Sequence, residues 1–591
     1  MCGIAGVMTT SGRAPASTTL DGLEAALAHR GPDGTGRHLR AGTGLVQTRL
    51  AIIDLNTGDQ PFTVEGEGGQ PLTLVANGEI YNYLELQKEL GADDLKTASD
   101  CEPPLHLYAR LGIGYAERLR GMYAIAIDDA PNDQLVLSRD PFGIKPLYYA
   151  ETADAFAFAS EPQALLRTGI VTPELNRAAA AEVLNLQFST GAETPFRGIH
   201  RVLPGETLVV RAGRVAERHR IPALPDAAAA DVAHAAAIGQ LDELFEDSVD
   251  IHQRADVPYG MFLSGGIDSS ALLAMMKRLN DQPVKAFTVG FASAGVPDER
   301  AQAERVAAAA GAEFTAIEFE EADFWRTLPD AAAAMDDPAA DYAVLPTYML
   351  AAAAHRAGLK VVLSGEGGDE MFAGYGRYRR ATRPRWLGGR PLRAAGTLAD
   401  AGVLRDGAAD WRRGIAAAEA AASARWSALQ RAQAVDCADW LPNDLLTKLD
   451  RCLMAHGVEG RVPYVDTVLA AFAFRLPDAL KVRKRLGKWL LRKWLETQLP
   501  ESRPMSAKRG FTVPVAEWIQ ARGPALGPLV AGQPGVAEMC RPDAVEALFG
   551  ATGKAAGQAQ WVLLFFALWH DHYLMGKTAG GDVFDTLGAA A

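Results

Sequence analysis

The chain has 591 residues, of which 48% are apolar and 22% charged, and its formal net charge is −13. A chain of this length is too long to fold around a single hydrophobic core, so we expect two to four domains. The negative charge argues against a general binder of nucleic acid or membrane surfaces, because either function would need a basic face. The longest apolar run, residues 561–569, is shorter than the roughly 20 residues of a membrane span. It predicts a buried helix.

The cysteines are few and widely spaced. There are five, and none forms a CxxC pair. This pattern is not typical of zinc or redox sites and favours a reducing compartment without structural disulfides. No basic, apolar leader with a small-residue cleavage site opens the sequence. We therefore expect a cytoplasmic protein.

Cys2 is the first functional candidate in chain order. Removal of Met1 would leave it with both a thiol and a free α-amino group. The amine titrates near ~7.7 to 8.0 and the thiol near ~8.5, so the amine can accept the thiol proton at neutral pH. One residue could then supply a nucleophile and its base. The alternative is a small apolar residue near the end of the chain.

Residues 1–210 contain short β-prone runs separated by Asp, Gly and Pro clusters. A helix is predicted between Leu20 and His29, because leucines recur on one face and Gly31-Pro32 ends it. The pattern predicts an antiparallel, layered domain with a few helices. The predicted strands cover residues 45–53, 72–76, 122–127, 135–137 and 207–210.

Residues 211–234 shift to Ala, Arg and Pro without clear periodicity and are predicted to form a linker. Over residues 235–591, short hydrophobic runs alternate with Ala-rich helical segments, and the part after about residue 380 is expected to be almost wholly helical. Such alternation is typical of a doubly wound parallel sheet. The strands predicted here cover residues 259–263, 286–291 and 360–363.

A glycine-rich loop, SGGIDSS at residues 264–270, follows the first of these strands and precedes a helical run. Free backbone N–H groups at a helix N-terminus bind phosphate oxygens, and the helix dipole adds attraction. The loop matches neither Walker A nor GxGxxG, and the alternative is a tight turn that needs two glycines. It is similar to the pyrophosphate-binding loop of the ATP pyrophosphatases, in which the aspartate, here Asp268, holds Mg²⁺.

A second loop, SGEGGDE at residues 364–370, follows the predicted strand over 360–363. Loops at the ends of parallel strands are where such sites assemble. Asp369 is a candidate second magnesium ligand, and Glu366 is a candidate base or acceptor-site carboxylate. A solvated acidic turn is the alternative, but it would not explain the interleaved glycines.

With Cys2 and both glycine-rich loops, the chain resembles the glutamine-hydrolysing asparagine synthetases over nearly its whole length. The resemblance implies an N-terminal-nucleophile αββα glutaminase domain over residues 1–210 and a doubly wound ATP-pyrophosphatase-type synthetase domain over residues 235–591 with a helical C-terminal part. The other blocks that carry the resemblance are HRGPD at 29–33, RLAIID at 49–54, NGEIYN at 77–82, SDCE at 99–102, RDPFGIKPLYY at 139–149, MAHGVEGRVPYVD at 454–466, and Lys508 with Gly510-Phe511.

In the first domain the resemblance implies that Cys2 attacks the side-chain amide of glutamine, forms a γ-glutamyl thioester and releases ammonia. Asn77 and the backbone N–H of Gly78 would form the oxyanion hole. A zwitterionic amino acid needs one cation and one anion in its pocket. The residues that would bind glutamine are Arg49 for its carboxylate, Asp100 for its α-ammonium, and Glu79 nearby.

In the second domain the resemblance implies that ATP and L-aspartate form an acyl-adenylate, which ammonia attacks. Asp268 and Asp369 would hold Mg²⁺, Glu366 would remove a proton from the intermediate, and Lys508 would stabilise charge on the phosphate. An internal ammonia tunnel and a homodimer are further expectations. The residues that would border the nucleotide or cradle pyrophosphate are Leu263, Ser264, Gly265, Gly266, Asp268, Ser269, Val289, Ser364 and Gly365. Tyr375 and Arg461 are further acceptor-site candidates.

Three alternative functions compete with this one. A β-lactam-forming or peptide-cyclising relative supplies its own amine, so the set of Cys2, Asn77 and Asp100 argues against it. A non-catalytic regulatory paralogue would be expected to lose a nucleophile, a metal carboxylate or the glycines, and all are present. The same chemistry on a different carboxylate, such as a small peptide or a sugar acid, stays open. Departures from the usual pattern, such as Cys452 and Ser506, leave the acceptor undecided.

Two basic stretches, residues 377–393 and 481–493, contain interleaved Leu and Trp. In a chain of negative charge this pattern is more typical of amphipathic helix surfaces than of a nucleic-acid site. We expect no nucleic-acid partner.

Overall fold

The computed structural model describes residues 2–589 apart from 92–94, 292–299, 385, 387, 400, 406–409, 507–512 and 579. Two antiparallel sheets are followed by one parallel sheet and a mainly helical region. This order confirms the predicted α+β domain followed by an α/β domain.

The first domain is built on two antiparallel sheets, with twelve strands among its described residues. The strands are β1 (Gly3–Thr9), β2 (Gly34–Arg40), β3 (Thr43–Arg49), β4 (Phe62–Glu65), β5 (Pro71–Ile80), β6 (Gly121–Asp129), β7 (Gln134–Arg139), β8 (Tyr148–Glu151), β9 (Ala155–Ala159), β10 (His200–Arg201), β11 (Glu206–Arg211) and β12 (Arg214–Arg220). One sheet has the order β10-β8-β9-β1-β3-β2 and the other β12-β11-β7-β6-β5-β4. The helices are α1 (Ser17–Leu27), α2 (Tyr83–Leu90), α3 (Pro103–Leu111), α4 (Pro162–Arg167) and α5 (Arg177–Leu186).

Successive side chains along these strands point to opposite faces of each sheet. The domain therefore has four layers: two sheets in the middle and helices on both outer faces. On β1, Ile4 and Met8 pack between the two sheets, whereas Ala5 and Val7 pack against the helices outside. Helices α2 and α3 cover the outer face of the other sheet in the same way. Because both faces of a central strand are buried, its sequence is a continuous apolar run rather than a strict alternation. The predicted αββα layering is confirmed.

The second domain contains a parallel sheet of five described strands. They are β13 (Tyr259–Phe262), β14 (Lys285–Phe291), β15 (Glu313–Phe319), β16 (Val361–Leu363) and β17 (Glu459–Arg461), in the order β15-β14-β13-β16-β17. Its helices up to the sheet's last strand are α6 (His234–His252), α7 (Ile267–Leu279), α8 (Arg300–Ala310), α9 (Glu321–Ala333), α10 (Val344–Arg356), α11 (Gly368–Met371), α12 (Gly376–Ala381), α13 (Arg413–Ala421), α14 (Ala428–Val435) and α15 (Thr447–Met454). A π-helical segment, Asp436–Leu446, joins α14 to α15.

The rest of the described chain is helical. Its elements are α16 (Thr467–Arg475), α17 (Asp478–Lys481), α18 (Trp489–Gln498), α19 (Val515–Ala521), α20 (Gly523–Ala531), α21 (Pro534–Met539), α22 (Pro542–Phe549), α23 (Lys554–Tyr573) and α24 (Val583–Gly588). Helix α23 contains the apolar run 561–569, which is buried as predicted. Among the described residues, no helix has both the length and the apolar character needed to cross a bilayer.

The strand order reverses at β13. Strands β14 and β15 lie on one side of it, and β16 and β17 lie on the other. In a parallel sheet such a reversal opens a crevice at the carboxyl ends of the two strands involved, and ligands bind there. The two glycine-rich loops follow β13 and β16, so the sheet order brings both loops to the same crevice.

Three elements differ from the sequence-based expectation. Strand β1 lies at the centre of its sheet but was not predicted, because its glycines and small residues weaken a β-prone pattern. Strand β17 interrupts the region expected to be helical, since its three residues, Glu-Gly-Arg, form a strand only by pairing with β16. Strand β12 lies within the predicted linker and forms a hairpin with β11. The irregular connection therefore begins after Arg220.

Buried ion pairs join the two domains. Arg30 of the first domain donates from Nη1 to Asp450 of α15 at 2.8 Å and to Glu161 at 2.6 Å. Asp450 also lies 3.0 Å from Nη1 of Arg451, and all four side chains are buried. A charge inside a protein is stable only with its partner, so these pairs fix how the domains meet.

We expect Asp450→Ala to lower the free energy of unfolding by about 3 to 5 kcal/mol, because the substitution leaves two guanidinium groups short of a buried partner. Urea titration followed by tryptophan fluorescence measures the change. Glu89→Ala is the matched control, since Glu89 pairs with Arg118 where both side chains are exposed, and exposed pairs contribute little. Equal effects of the two substitutions would contradict the structural role given to Asp450.

Candidate active sites

Cys2 lies at the start of β1, facing β5 of the other sheet. Its backbone nitrogen donates to Oδ1 of Asn77 at 3.1 Å, and its carbonyl accepts from Nε of Arg30 at 3.1 Å. Burial raises the pKa of the Cys2 thiol, against a hydrogen bond from the N–H of Leu50 that lowers it. Contacts on both sides of the residue therefore hold the thiol in one position.

Asn77 is fully buried in β5. While its Oδ1 accepts from Cys2, its Nδ2 has no hydrogen-bond partner within the described part of the chain. A buried donor without a partner is costly, and this one belongs to the side chain that contacts Cys2, where an oxyanion would need a donor. The next residue, Gly78, has no room for a side chain, because a Cβ there would lie 2.2 Å from the carbonyl oxygen of Met122.

The predicted glutamine-binding residues Arg49 and Asp100 each directly precede a residue that interacts with Cys2, namely Leu50 and Cys101. Arg49 ends β3 one residue before Leu50, and its guanidinium donates to Asp59 at 2.6 Å and to the carbonyl of Asp54 at 2.5 Å. Asp59 is 78% exposed, so this guanidinium lies at the edge of the domain. Asp100 is buried, accepts the N–H of Ile80 at 2.7 Å, and burial raises its pKa to about 6.

Glu79 links this site to the second domain. Its Oε2 lies 3.1 Å from Nη2 of Arg461, a fully buried residue of β17. Arg461 also donates to Glu459 at 2.6 Å. The sequence made Arg461 an acceptor-site candidate, but its guanidinium lies on the glutaminase side and not at the loop after β16. Only its backbone reaches that loop, where its carbonyl accepts the N–H of Ser364 at 2.8 Å.

The loop after β13 has the shape expected of an anion-binding turn. Gly265 has φ of +70°, and a Cβ there would lie 2.9 Å from the backbone nitrogen of Ala303. Oγ of Ser264 lies 3.1 Å from Oγ of Ser269 and accepts the N–H of Gly266 at 3.2 Å. Helix α7 begins directly after this loop, so its first N–H groups and its dipole face the crevice.

The loops after β13 and β16 touch each other through glycine. A Cβ at Gly365 would lie 3.1 Å from Cβ of Asp268, and one at Gly368 would lie 2.5 Å from Oδ1 of Asp268. Larger residues would push the two loops apart. The strand ends beside them carry the buried side chains of Leu263, Val289 and Ser364.

Lys488 holds the two predicted magnesium ligands together. Its ammonium donates to Asp268 and lies 2.8 Å from Oδ1 of Asp369. The side chain is 3% exposed; burial lowers the pKa of Lys488, but the two carboxylates outweigh burial and the net shift is upward. Sequence reasoning treated the stretch containing Lys488 as a helix surface. Its only local signal was a Gly-Lys pair directly before a helix.

Two carboxylates facing one buried cation fit a magnesium site that is completed by phosphate oxygens and water, as is usual for Mg²⁺. The structure offers no larger cage: the described residues contain no group of three or more His, Cys, Asp or Glu side chains arranged for a metal. Lys508, which the resemblance placed on the phosphate, lies outside the described residues, as do Gly510 and Phe511.

Glu366 belongs to a second set of charges in the same crevice. Its Oε1 lies 3.4 Å from Nζ of Lys448, which donates to Asp341 at 2.9 Å. Burial raises the pKa of Glu366, and the Lys448 charge acts against that shift. Lys448 and Asp341 were missed from the sequence, because a single Lys in a helix and a single Asp in a loop carry no pattern.

Tyr375 lies beside a cavity of about 440 Å³ that adjoins Asp369 through Gly374. The guanidinium of Arg377 stacks on its ring at 3.7 Å. Arginines 379, 485 and 492 also line the cavity. The basic stretches recognised in the sequence therefore meet at the edge of the crevice.

Comparison with known proteins agrees with this two-site arrangement. A glutamine amidotransferase domain model matches residues 1–220, and an asparagine synthase model matches residues 240–571. The chain is 32% identical to asparagine synthetase [glutamine-hydrolyzing] 1 of Bacillus subtilis, over 88% of each chain. It is 35% identical to a putative asparagine synthetase [glutamine-hydrolyzing] of Mycobacterium tuberculosis, over 83% of each. Asparagine synthetase B of Escherichia coli is 29% identical, over 84% of this chain and 79% of that protein.

These matches cover both domains in the order in which the structure shows them. The relatives of Bacillus subtilis and Mycobacterium tuberculosis match this chain at 32% and 35% identity over more than four fifths of its length. The chain belongs to the glutamine-hydrolysing asparagine synthetase family.

Proposed function

We propose that this chain makes asparagine from L-aspartate, with glutamine as the nitrogen donor and ATP as the energy source. The products are asparagine, AMP, pyrophosphate and glutamate. One observation carries the proposal: a single chain holds two sites. Cys2 is buried against Asn77, whose Nδ2 has no partner among the residues that the structure describes. Two carboxylate-bearing loops lie at the crevice of the parallel sheet.

In the first step, the thiolate of Cys2 attacks the side-chain amide carbon of glutamine. Once Met1 is removed, the α-amino group of Cys2 takes the thiol proton and passes it to the leaving nitrogen, so ammonia departs and a thioester forms. Nδ2 of Asn77 donates to the oxyanion, a contribution of about 3 to 4 kcal/mol in other hydrolases. Water then releases glutamate. Arg49 and Asp100 are proposed to hold the two charged ends of the amino acid.

In the second step, the aspartate side-chain carboxylate attacks the α-phosphorus of ATP and pyrophosphate leaves. The loop after β13 and the N-terminus of α7 bind the departing phosphates. Asp268 and Asp369 are proposed to hold Mg²⁺, which neutralises phosphate charge when bound. Lys488 lies between the same carboxylates, so its ammonium would supply positive charge to a phosphate oxygen of bound ATP.

In the third step, ammonia attacks the acyl carbon of the adenylate and AMP leaves. The nitrogen carries an extra proton at that point, and Glu366 is proposed to accept it. Burial raises the pKa of Glu366, which makes this carboxylate a better proton acceptor than a solvent-exposed one. Ammonia must reach this site unprotonated, and the tunnel expected from the resemblance stays a prediction, as does the homodimer.

A reducing, cytoplasmic location is part of the proposal. The five cysteines are all buried and free, and structural disulfides are typical of oxidising compartments.

Product analysis tests the function directly. With ATP, Mg²⁺, glutamine and L-aspartate, the purified protein is expected to form asparagine and AMP one-for-one, because each adenylate yields one amide. A reaction without aspartate is the control. Glutamate release without aspartate-dependent AMP would retain the glutaminase and reject aspartate as the acceptor, directing the search to other carboxylates.

Cys2→Ala is expected to abolish asparagine formation from glutamine while formation from ammonium chloride persists, because only the first step needs the thiol. Cys540→Ala, which removes another buried thiol that no proposed step uses, should leave both nitrogen sources active. Loss of both activities in Cys2→Ala alone, at unchanged thermal stability, would refute the division into two independent sites.

Lys488→Met is expected to reduce AMP formation at least about 100-fold with either nitrogen source, because Asp268 and Asp369 then repel each other and the incoming phosphates. Glutaminase activity should be retained, which also shows that the variant folds. Lys493→Met is the matched control, since Lys493 is a surface residue of α18 that pairs with Glu496. Normal AMP release by Lys488→Met would exclude the role given to this lysine.

A further inference from the structure

Asp54, in the loop that follows β3, contacts the segments of both predicted glutamine-binding residues. Its carbonyl accepts Nη2 of Arg49 at 2.5 Å. Its Oδ2 accepts the N–H of Ala98 at 3.0 Å, two residues before Asp100. One residue therefore bridges the segment that carries the guanidinium and the segment that carries the carboxylate proposed for the two ends of glutamine.

The conformation of Asp54 is held by local contacts. Its φ is +54°, in the left-handed region that few residues other than glycine adopt and that Asp tolerates better than most. Its Oδ1 accepts the N–H of Thr57 at 2.9 Å, and its Oδ2 accepts the hydroxyl of Thr57 at 2.6 Å. Burial raises the pKa of Asp54, but hydrogen bonds from Thr57 and Ala98 outweigh burial and the net shift is downward. The carboxylate is therefore ionised at neutral pH.

The backbone nitrogen of Asp54 donates to the second domain. Its acceptor is Oδ2 of Asp256, at 2.8 Å. The backbone nitrogen of Asp256 in turn donates to the carbonyl of Ile52 at 2.9 Å. These two hydrogen bonds run in opposite directions between the domains, so they restrict the backbone of the loop on both sides of Ile53.

The segment that leads into β13 also reaches the surroundings of Asp100. Nη1 of Arg254 donates to the carbonyl of Tyr81 at 2.5 Å. Tyr81 follows Ile80, whose N–H is bonded to Asp100. The carbonyl of Arg254 accepts from the fully buried Arg461 at 2.7 Å. The segment is thus fixed within its own domain while it contacts both glutamine-binding segments of the first domain.

Glutamine carries its carboxylate and its ammonium on the same carbon atom. The groups that bind these two charges must therefore keep a fixed separation and orientation, or one contact is made at the expense of the other. The bonds of Asp54 to both segments, and the bond from Asp256 to Asp54, supply that constraint.

We propose that Asp256 is a positioning residue for glutamine that the second domain contributes. Acting through Asp54, it sets the arrangement of Arg49 and Asp100. The glutamine site is then complete only when the two domains are docked. This inference rests on the glutaminase half of the proposed function and does not depend on which acceptor the second domain uses.

The test uses two substitutions of Asp256 and one control. Asp256 is exposed, so its truncation opens no cavity in a core. Asp256→Ala removes the acceptor of the Asp54 N–H, whereas Asp256→Asn keeps an oxygen that can accept it. Asp247→Ala is the matched control. Asp247 is another exposed aspartate of the second domain that pairs with the first, but its partner, Arg120 at 2.6 Å, retains an ion pair with Asp466.

Glutamate release is measured while glutamine is varied, and asparagine formation from ammonium chloride is measured in parallel. In Asp256→Ala the KM for glutamine is expected to rise about 3- to 10-fold, the change produced by losing one hydrogen bond. The kcat should stay within about twofold of wild type, because Cys2 and Asn77 keep their contacts. The ammonia-dependent reaction should also be unchanged. Asp256→Asn and Asp247→Ala should match wild type in every measurement.

A binding measurement separates positioning from catalysis. In a Cys2→Ala background, which cannot form the thioester, calorimetric titration with L-glutamine gives the Kd directly. Adding Asp256→Ala should weaken binding by the same factor by which KM rises. Adding Asp256→Asn should leave the Kd unchanged.

Three results would overturn the inference. The first is a KM for glutamine in Asp256→Ala equal to that in Asp247→Ala. The second is an equal loss of the glutamine-dependent and ammonia-dependent reactions in Asp256→Ala, since that pattern reflects a general structural defect. The third is an equal rise of KM in Asp256→Asn and Asp256→Ala, since the asparagine still offers an acceptor oxygen to Asp54.

Failure of the proposed function gives a different result, which is seen in the wild type. Glutamate release without asparagine formation would reject aspartate as the acceptor and leave every glutamine measurement in place. A wild type that neither hydrolyses nor binds glutamine would reject the glutaminase and this inference together.

Discussion

The fully buried guanidinium of Arg461 touches both halves of the molecule and constrains both active sites. It lies 3.1 Å from Glu79 beside the glutaminase site and donates to Glu459 on its own strand. The backbone carbonyl of Arg461 accepts the N–H of Ser364, the first residue of the loop after β16. A buried charge is stable only while its partners stay in place. The contacts that balance this charge therefore also fix the two sites relative to each other.

The synthetase crevice repeats one electrostatic arrangement. Lys488 lies between Asp268 and Asp369, and Lys448 lies between Asp341 and Glu366. Each buried lysine keeps two carboxylates close that would otherwise repel each other. Charges placed in advance in a site with little water act strongly on a transition state, because the protein need not reorganise during the reaction.

Features that neighbouring residues fix could be predicted from the sequence, whereas features that depend on distant residues could not. The strands before the two glycine-rich loops, the α7 helix and the layered first domain were all readable from nearby residues. Strand β17 was not, because three residues with charged ends become a strand only beside β16. Lys488 was not, because a Gly-Lys pair directly before a helix is too weak a signal to separate it from the neighbouring basic residues. Arg461 was recognised, but its side chain lies at the other site.

The sequence by itself determined the chemistry that this chain can carry: a cysteine at position 2, an amide donor at Asn77, and glycine-rich loops bearing Asp268, Glu366 and Asp369. These are properties of short segments, where spacing fixes backbone shape. Only the tertiary structure decided which charges share a partner. Lys488 reaches Asp268 across 220 residues of chain, and Lys448 reaches Asp341 across 107 residues. Electrostatic balance depends on distance in space, which the order of residues along the chain does not give.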